Sequence, residues 1–304
     1  MLKLSDMKKL FYLAILAIAA VSCSPKNQWK AEHVIIIGLD GWGSYSVEKA
    51  EMPNVQSLMA KGCFTLGKRA VLPSSSAVNW ATMFMGANPE VHGHTEWNSY
   101  TPEIPSYEIS KNNKFPTVFQ LIDQKYPEAE IGTVFEWHGI EHVIDSLAFD
   151  YHEQATDFGK HPEKLGDMAA EYILAKKPNL GLFVYDNPDG AGHRYGHDSP
   201  EYYACLAQLD SYIGKIINAV KEAGMYENTI FIVTADHGGI NKGHGGKSLM
   251  ELETPFIIAG KGIKKGGMFS RPMMQFDFAA TVAEIFGVET PDVWRAKSMS
   301  QVFE

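Results

Sequence analysis

His33-Val34-Ile35-Ile36-Ile37-Gly38-Leu39-Asp40-Gly41 is the stretch on which the fold turns. From Val34 to Ile37 every side chain is aliphatic, with none of the polar alternation of a half-exposed strand. Such a run predicts a strand buried on both faces, the kind found in parallel sheets. Outward from it, Ile131–Phe135, Leu180–Tyr185, Thr229–Thr234 and Pro255–Ile258 carry the same signal. Helical periodicity lies between them, over Val55–Lys61, Val78–Met85, Val118–Gln124, Leu165–Lys176 and, longest, Glu201–Ala223. Phe276–Phe286 supplies a last helix before a polar tail. Buried strands alternating with amphipathic helices predict an α/β fold, a three-layer αβα sandwich around a mostly parallel sheet. No repeat, low-complexity block or linker divides residues 33–304, so the reading is one domain.

Composition sets outer limits. The 304 residues are 45% hydrophobic and 21% charged, ordinary for a chain with a packed core. A net charge of −9 argues against a binder of nucleic-acid polymers, which needs basic surface to displace counterions. It leaves a small phosphate ester open as substrate, because bound dications reverse the local sign inside a cleft. At the start, Lys8 and Lys9 precede an apolar run from Leu10 to Val21, then Ser22 and Cys23. A basic start, a short apolar stretch and small residues at its end describe a secretory signal, here residues 1–23, with Met7 a candidate start. Ala20-Val21-Ser22-Cys23 also has the form of a bacterial lipobox, and residues 24–32 read as a tether. The expectation is export to the periplasm or cell envelope, with a lipid on Cys23 as the membrane contact. Cys63 and Cys205 then remain, read as buried small apolar residues without the spacing of a thiolate metal site.

In sheets of this type ligands gather at the carboxyl ends of the strands. The polar constellations sit there. Gly38-Leu39-Asp40-Gly41 follows the first strand, and Asn187-Pro188-Asp189-Gly190-Ala191-Gly192-His193 forms a presumptive loop after Leu180–Tyr185. Thr234-Ala235-Asp236-His237-Gly238-Gly239 follows another strand, and Lys242-Gly243-His244-Gly245-Gly246 comes soon after. Taken singly, each aspartate is as well explained by capping a turn. Together they supply three aspartates and three histidines in glycine-bracketed turns, an oxygen–imidazole set that suits catalytic zinc and also manganese or iron. Six donors divide into three for each of two divalent ions.

A nucleophile belongs near them, and Leu72-Pro73-Ser74-Ser75-Ser76-Ala77-Val78-Asn79 is the place. With a helix beginning at Ala77 or Val78, Ser76 is its N-cap. That position serves structure, and it also favours an anionic alkoxide or its phosphoryl ester. Serine needs a base or a metal to become nucleophilic.

The set Gly38 to Gly41, Pro73 to Asn79, Pro89-Glu90-Val91-His92-Gly93, Pro188 to His193, Asp236-His237-Gly238 and His244 resembles the alkaline phosphatase superfamily, in particular its type I phosphodiesterase/nucleotide pyrophosphatase branch. The resemblance runs in order from about residue 33 to the last helix. It implies the alkaline phosphatase-like fold and two zinc ions, one on Asp189, His193 and His244, the other on Asp40, Asp236 and His237. It also implies Ser76 as the nucleophile bridging toward the second ion, in place of the family's common threonine. Ala77-Val78 stands where the family has Phe-Pro. Asn98 is the candidate for holding the transferred phosphoryl group, one residue later than the family spacing. Trp137, in Glu136-Trp137-His138-Gly139, is the candidate for stacking on a base or sugar, or for packing the rim. His92 and His94 are structural on this mapping.

The expected reaction is hydrolysis of a phosphodiester or pyrophosphate through a phosphoserine on Ser76, with monoesters the runner-up. A sulfatase is disfavoured because Ser76-Ala77-Val78-Asn79-Trp80 lacks the Cys/Ser-x-Pro-x-Arg pattern. A binding protein that kept the fold without catalysis is disfavoured by the intact donor set.

Overall fold

The computed structural model describes residues 29–304. The signal, the lipobox and Cys23 lie outside that range. No described helix is long and apolar enough to cross a membrane.

The aliphatic run becomes strand β1 (His33–Asp40), and both its faces are covered. Val34 and Ile36 enter one hydrophobic core, Ile35, Ile37 and Leu39 a second on the opposite side. That division is the period-two consequence of a pleated strand, and burying each such side chain contributes about 1.5–3 kcal/mol. The sheet around β1 has eight strands: β2 (Cys63–Arg69), β3 (Ile131–Phe135), β4 (Tyr151–Gln154), β5 (Leu180–Pro188), β6 (Thr229–Thr234), β7 (Glu253–Gly260) and the two-residue β8 (Gly267–Met268), in the order β4-β3-β5-β1-β6-β7-β2-β8. β5 and β6 flank β1 in parallel, and β7 runs antiparallel to both β6 and β2.

Three helices cover one face: α1 (Pro53–Lys61), α6 (Lys164–Lys176) and α8 (Pro200–Glu222). The other face carries α2 (Ser76–Met85), α4 (Val118–Lys125), α5 (Gly139–Val143) and α10 (Asp277–Phe286). Short helices α3 (Pro89–His92), α7 (Asp189–Tyr195) and α9 (Leu249–Leu252) complete the set. The result is the three-layer sandwich. All ten residues of α2 are buried, so this helix is a core element rather than an amphipathic cover.

Three local readings change. Ser75, with extended backbone, is the N-cap of α2, and Ser76 is its first helical residue. The segment from Asp189 is helical rather than a loop; its proline precedes the helix and so interrupts no helical hydrogen bond. Strands β2, β4 and β8 escape the aliphatic-run signal because they are short, lie toward the sheet edges or carry polar residues such as Lys68. Cys63 and Cys205 are both free thiols, one buried and one half-buried.

Candidate metal and catalytic site

The carboxyl ends of β1, β5 and β6 lie side by side, which brings Asp40, the start of α7 and Asp236-His237 to one edge of the sheet. The closeness depends on glycine. Gly41 has φ +70°, and a Cβ there would fall 2.6 Å from the Asp189 Cβ and 2.8 Å from its Cα. At Gly38 a Cβ would meet the Trp80 ring at 2.5 Å. Trp80 uses that space to reach Asp40.

Each carboxylate is held by one oxygen or one flank and presents the other. Trp80 Nε1–H donates to Asp40 Oδ2 (2.9 Å), while Asp40 Oδ1 faces Ser76 Oγ (3.4 Å) and His237 Nε2 (3.4 Å). The Gly41 N–H donates to Asp236 Oδ1 (3.1 Å); Asp236 Oδ2, 3.3 Å from His237 Nε2, is buried without a hydrogen bond. Helical spacing places Asp189 and His193 on one face, Oδ2 to Nε2 3.0 Å. Asp189 Oδ1 is likewise buried without a hydrogen bond. Behind the Asp236-His237 turn, Gln275 Nε2–H donates to the Asp236 carbonyl (2.8 Å) and Lys68 Nζ to the Ala235 carbonyl (2.6 Å).

The imidazoles are oriented too. Nδ1 of His193, His237 and His244 lies against the carbonyls of Lys242 (3.0 Å), Gly238 (2.8 Å) and Ser74 (3.0 Å). A carbonyl only accepts, so in each ring Nδ1 carries the proton and, in the neutral form, Nε2 keeps a lone pair. All three lone pairs point inward. His193 and His244 Nε2 face each other at 3.2 Å beside Asp189 Oδ2. Lone pairs and carboxylates converging this closely repel unless a cation lies among them. Nδ1 bonded to a backbone carbonyl with Nε2 turned to the ion is also the usual support of a metal-ligating histidine. The residues present therefore fit divalent ions.

Two groups of donors come together within 4.8 Å: Asp189, His193 and His244, as the sequence mapping expects, and Asp40, Asp189 and His237. Asp189 thus stands between both groups, and Asp236 adjoins the second through His237. Charge records the crowding. Burial, then Asp236 and Asp189, pushes the Asp40 carboxyl well above its usual range, and burial likewise raises Asp236. At Asp189 burial works upward but is outweighed by the hydrogen bond from His193 and by the surrounding imidazoles, which hold it near 2. The same bond pushes His193 up to about 9, so without a metal ion a proton on its Nε2 stands where the ion would bind.

Ser76 Oγ completes the cluster, 3.1 Å from His237 Nε2. Asn98 is half-buried in the turn with Trp97, whose carbonyl accepts from Ala77 N–H (3.2 Å) in the first turn of α2. Trp137 is half-buried against the core beside Gly139 and does not line the cleft over the histidines; Trp97 does. His92 and His94 are buried and bonded away from the cluster, to Thr82 Oγ1 (3.0 Å) and Ser99 Oγ (2.8 Å).

Sequence reasoning passes over His197, buried with Nε2 3.5 Å from Asp189 Oδ1. Its i,i+4 spacing from His193 is the available signal. Glu136 is also missed as a site support. Its Oε2 accepts from Asp186 N–H (2.8 Å), bracing the end of β5 that leads into Asp189, and burial pushes its carboxyl up to about 8. A raised acid favours the fold while protonated, and that contribution disappears as pH climbs from the unfolded value of about 4.3 to the folded one. Glu136→Gln keeps an acceptor and removes the titration. Its melting temperature should therefore gain on the parent by several degrees between pH 5 and pH 9, an effect on the order of a few kcal/mol. Parallel melting curves across that range check it, and a constant difference would contradict the assignment.

Against this geometry, the family described as type I phosphodiesterase / nucleotide pyrophosphatase matches residues 34–259. The chain belongs to that family. A human relative, ectonucleotide pyrophosphatase/phosphodiesterase family member 1, is 25% identical over 195 residues, covering 62% of this chain and 21% of the relative. This chain therefore matches only about a fifth of that protein's length. Among solved structures, murine ectonucleotide pyrophosphatase/phosphodiesterase 5, an inactive variant in complex with AMP, superposes with a TM-score of 0.69 at 16% identity, over 89% of this chain and 98% of that one. A 2-O GAG sulfatase superposes at 0.71 and 14% identity, over 90% and 74%. At such identities the likenesses establish the alkaline phosphatase-like fold, which phosphodiesterases and sulfatases share.

Proposed function

We propose that this chain is a phosphoric ester hydrolase cleaving phosphodiester or pyrophosphate bonds, with Ser76 as nucleophile and two divalent ions, zinc by preference, held by Asp40, Asp189, His193, Asp236, His237 and His244. The observation that carries this reading is the convergence of three inward-facing Nε2 lone pairs and unsatisfied carboxylate oxygens beside one buried serine hydroxyl. Ions bound there supply Lewis acidity for the serine, the departing oxygen and the attacking water.

The chain's own residues do the rest. Trp80 fixes Asp40 beside Ser76, the Gly41 amide fixes Asp236, and Ser76 Oγ is presented from the first turn of α2. Asp40 Oδ1 and His237 Nε2 flank the hydroxyl, and because both face the ion they would hold, the Oγ proton passes to solvent water. As the Oγ–P bond forms, the P–O bond to the departing group breaks and its oxygen takes up a proton. Water then adds to phosphorus, Ser76 Oγ departs and regains a proton, and the net change is addition of one water across the P–O bond. Charge on the non-bridging oxygens is met by the positive end of α2 and by Asn98 in the adjoining turn.

A diester is favoured over a monoester by the position of the nearby cations. Lys242 Nζ donates to the Arg194 carbonyl (2.9 Å), and the Arg194 guanidinium lies over the Tyr195 ring (5.2 Å). Neither side chain hydrogen-bonds or ion-pairs with the donors around Ser76, where a monoester dianion would need a cation. The zinc-loaded protein should hydrolyse bis(p-nitrophenyl) phosphate with a kcat/KM about tenfold or more above that for p-nitrophenyl phosphate; the reverse preference would transfer the function to a phosphomonoesterase.

A further inference from the structure

The cleft that opens over the two exposed-side histidines has a composition that selects a substrate. It encloses about 500 Å3 and is lined by Ser75, Glu96, Trp97, His193 and His244, with glycine and proline backbone around them. Trp97 is 61% exposed in it, an unusual state for so large an apolar side chain beside a catalytic serine. Its backbone is nevertheless tied to the site, because its carbonyl accepts from Ala77 N–H, one residue beyond the nucleophile. Glu96, the neighbouring residue, is exposed and lines the same space. Among the described residues no lysine or arginine lines the cleft.

In an in-line displacement the departing oxygen leaves opposite the attacking one. Ser76 Oγ attacks from the side of Asp40 and His237. Asp40 and His237 are buried on that side and do not line the cleft, whereas His193 and His244 do. The cleft they line is therefore where the departing group sits. Beyond the ion that His193 and His244 would hold, a pyrophosphate or nucleoside polyphosphate there would meet the Glu96 carboxylate and no lysine or arginine. An aromatic, apolar or cationic alcohol would meet an indole face and, if cationic, a carboxylate.

We infer that Trp97 and Glu96 form a departing-group subsite selecting phosphodiesters whose leaving alcohol carries no negative charge and offers an apolar or cationic face, against substrates that release pyrophosphate. This rests on the hydrolase reading above and narrows it.

The test compares bis(p-nitrophenyl) phosphate with ATP as substrates of the zinc-loaded protein and its Trp97→Ala, Trp97→Phe, Glu96→Gln and Ser76→Ala variants. The parent should prefer the diester. Trp97→Ala should lower kcat/KM for the diester about tenfold, chiefly through KM, because an aromatic stacking partner is lost. Trp97→Phe should recover most of that loss. Glu96→Gln should raise the ratio of ATP to diester kcat/KM about fivefold at low ionic strength, an increase that shrinks in high salt as a screened rim charge requires. A parent that prefers ATP overturns the subsite, as do Trp97 and Glu96 variants that match the parent while hydrolysis still depends on Ser76. If neither substrate is hydrolysed in a Ser76-dependent way, the hydrolase proposal itself falls, and this inference with it.

Discussion

Replacing Ser76 by alanine should lower kcat by about a thousandfold or more while leaving the melting temperature within a few degrees of the parent. The two halves of that expectation have separate causes. Chemically, Oγ is the atom on which the proposed covalent phosphoryl ester forms. Its neighbours Asp40 and His237 cannot replace it, because they are fixed in other contacts, Asp40 by Trp80 and His237 by the Gly238 carbonyl. Structurally, Ser76 is the first helical residue of α2, not its cap, and its hydroxyl faces Asp40 and His237 rather than the helix backbone. Alanine is the best helix former, so removal of Oγ costs α2 no backbone hydrogen bond and leaves only a small gap. If Ser76 served only to begin the helix, the variant would keep its activity, and the nucleophile would have to be sought elsewhere. Digestion of protein quenched during turnover adds a second readout, a substrate-derived phosphoryl group on the peptide containing Ser76 and none in the variant.

The same residue shows what a sequence conveys and what it withholds. That a serine stands near Asp40 and His237 is what the resemblance of the ordered motifs implies. Whether it is Ncap or the first helical residue depends on the backbone of Ser75, which no pattern of side chains specifies. β1 was legible because burial on both faces leaves an unbroken aliphatic run. β2 was not, because its buried Lys68 is satisfied by partners distant in sequence, Ala235 and Gln275. Asp189 and His193 could be identified as donors but read as a loop, since Gly190 and Gly192 look like breakers. In the fold Gly192 is where the His197 ring packs, a Cβ there falling 2.4 Å from it. Trp97 carried no motif. Its role in the cleft emerges only when the turn holding it is pinned to α2 by one backbone hydrogen bond.

Removal of divalent ions should have the second large effect, on activity and stability together. The donors around Ser76 are arranged against their own electrostatics. Asp40 and Asp236 are buried with carboxyls pushed upward, and the His193 and His244 Nε2 atoms, 3.2 Å apart, stay together without an ion only by sharing a proton. A fold that holds such groups apart from water is strained until a cation occupies the space between them. Dialysis against a chelator should therefore reduce hydrolysis by about a thousandfold or more, and zinc should restore it. Binding of ions to the folded state alone contributes about 2.7 kcal/mol per site at a free concentration one hundred times Kd. For a chain of this size, with an unfolding entropy of about 0.6 kcal/mol/K, that corresponds to a rise in melting temperature of roughly 4 °C per site. Metal analysis of the reconstituted protein should find two equivalents. His193→Ala should leave the equivalent near Asp40 and His237 in place and lose the other, because His193 touches only the Asp189–His244 group. Equal melting temperatures with and without chelator, together with unchanged hydrolysis, would mean that these carboxylates and imidazoles are held by protons rather than by metal, and Ser76 would then need a different activator.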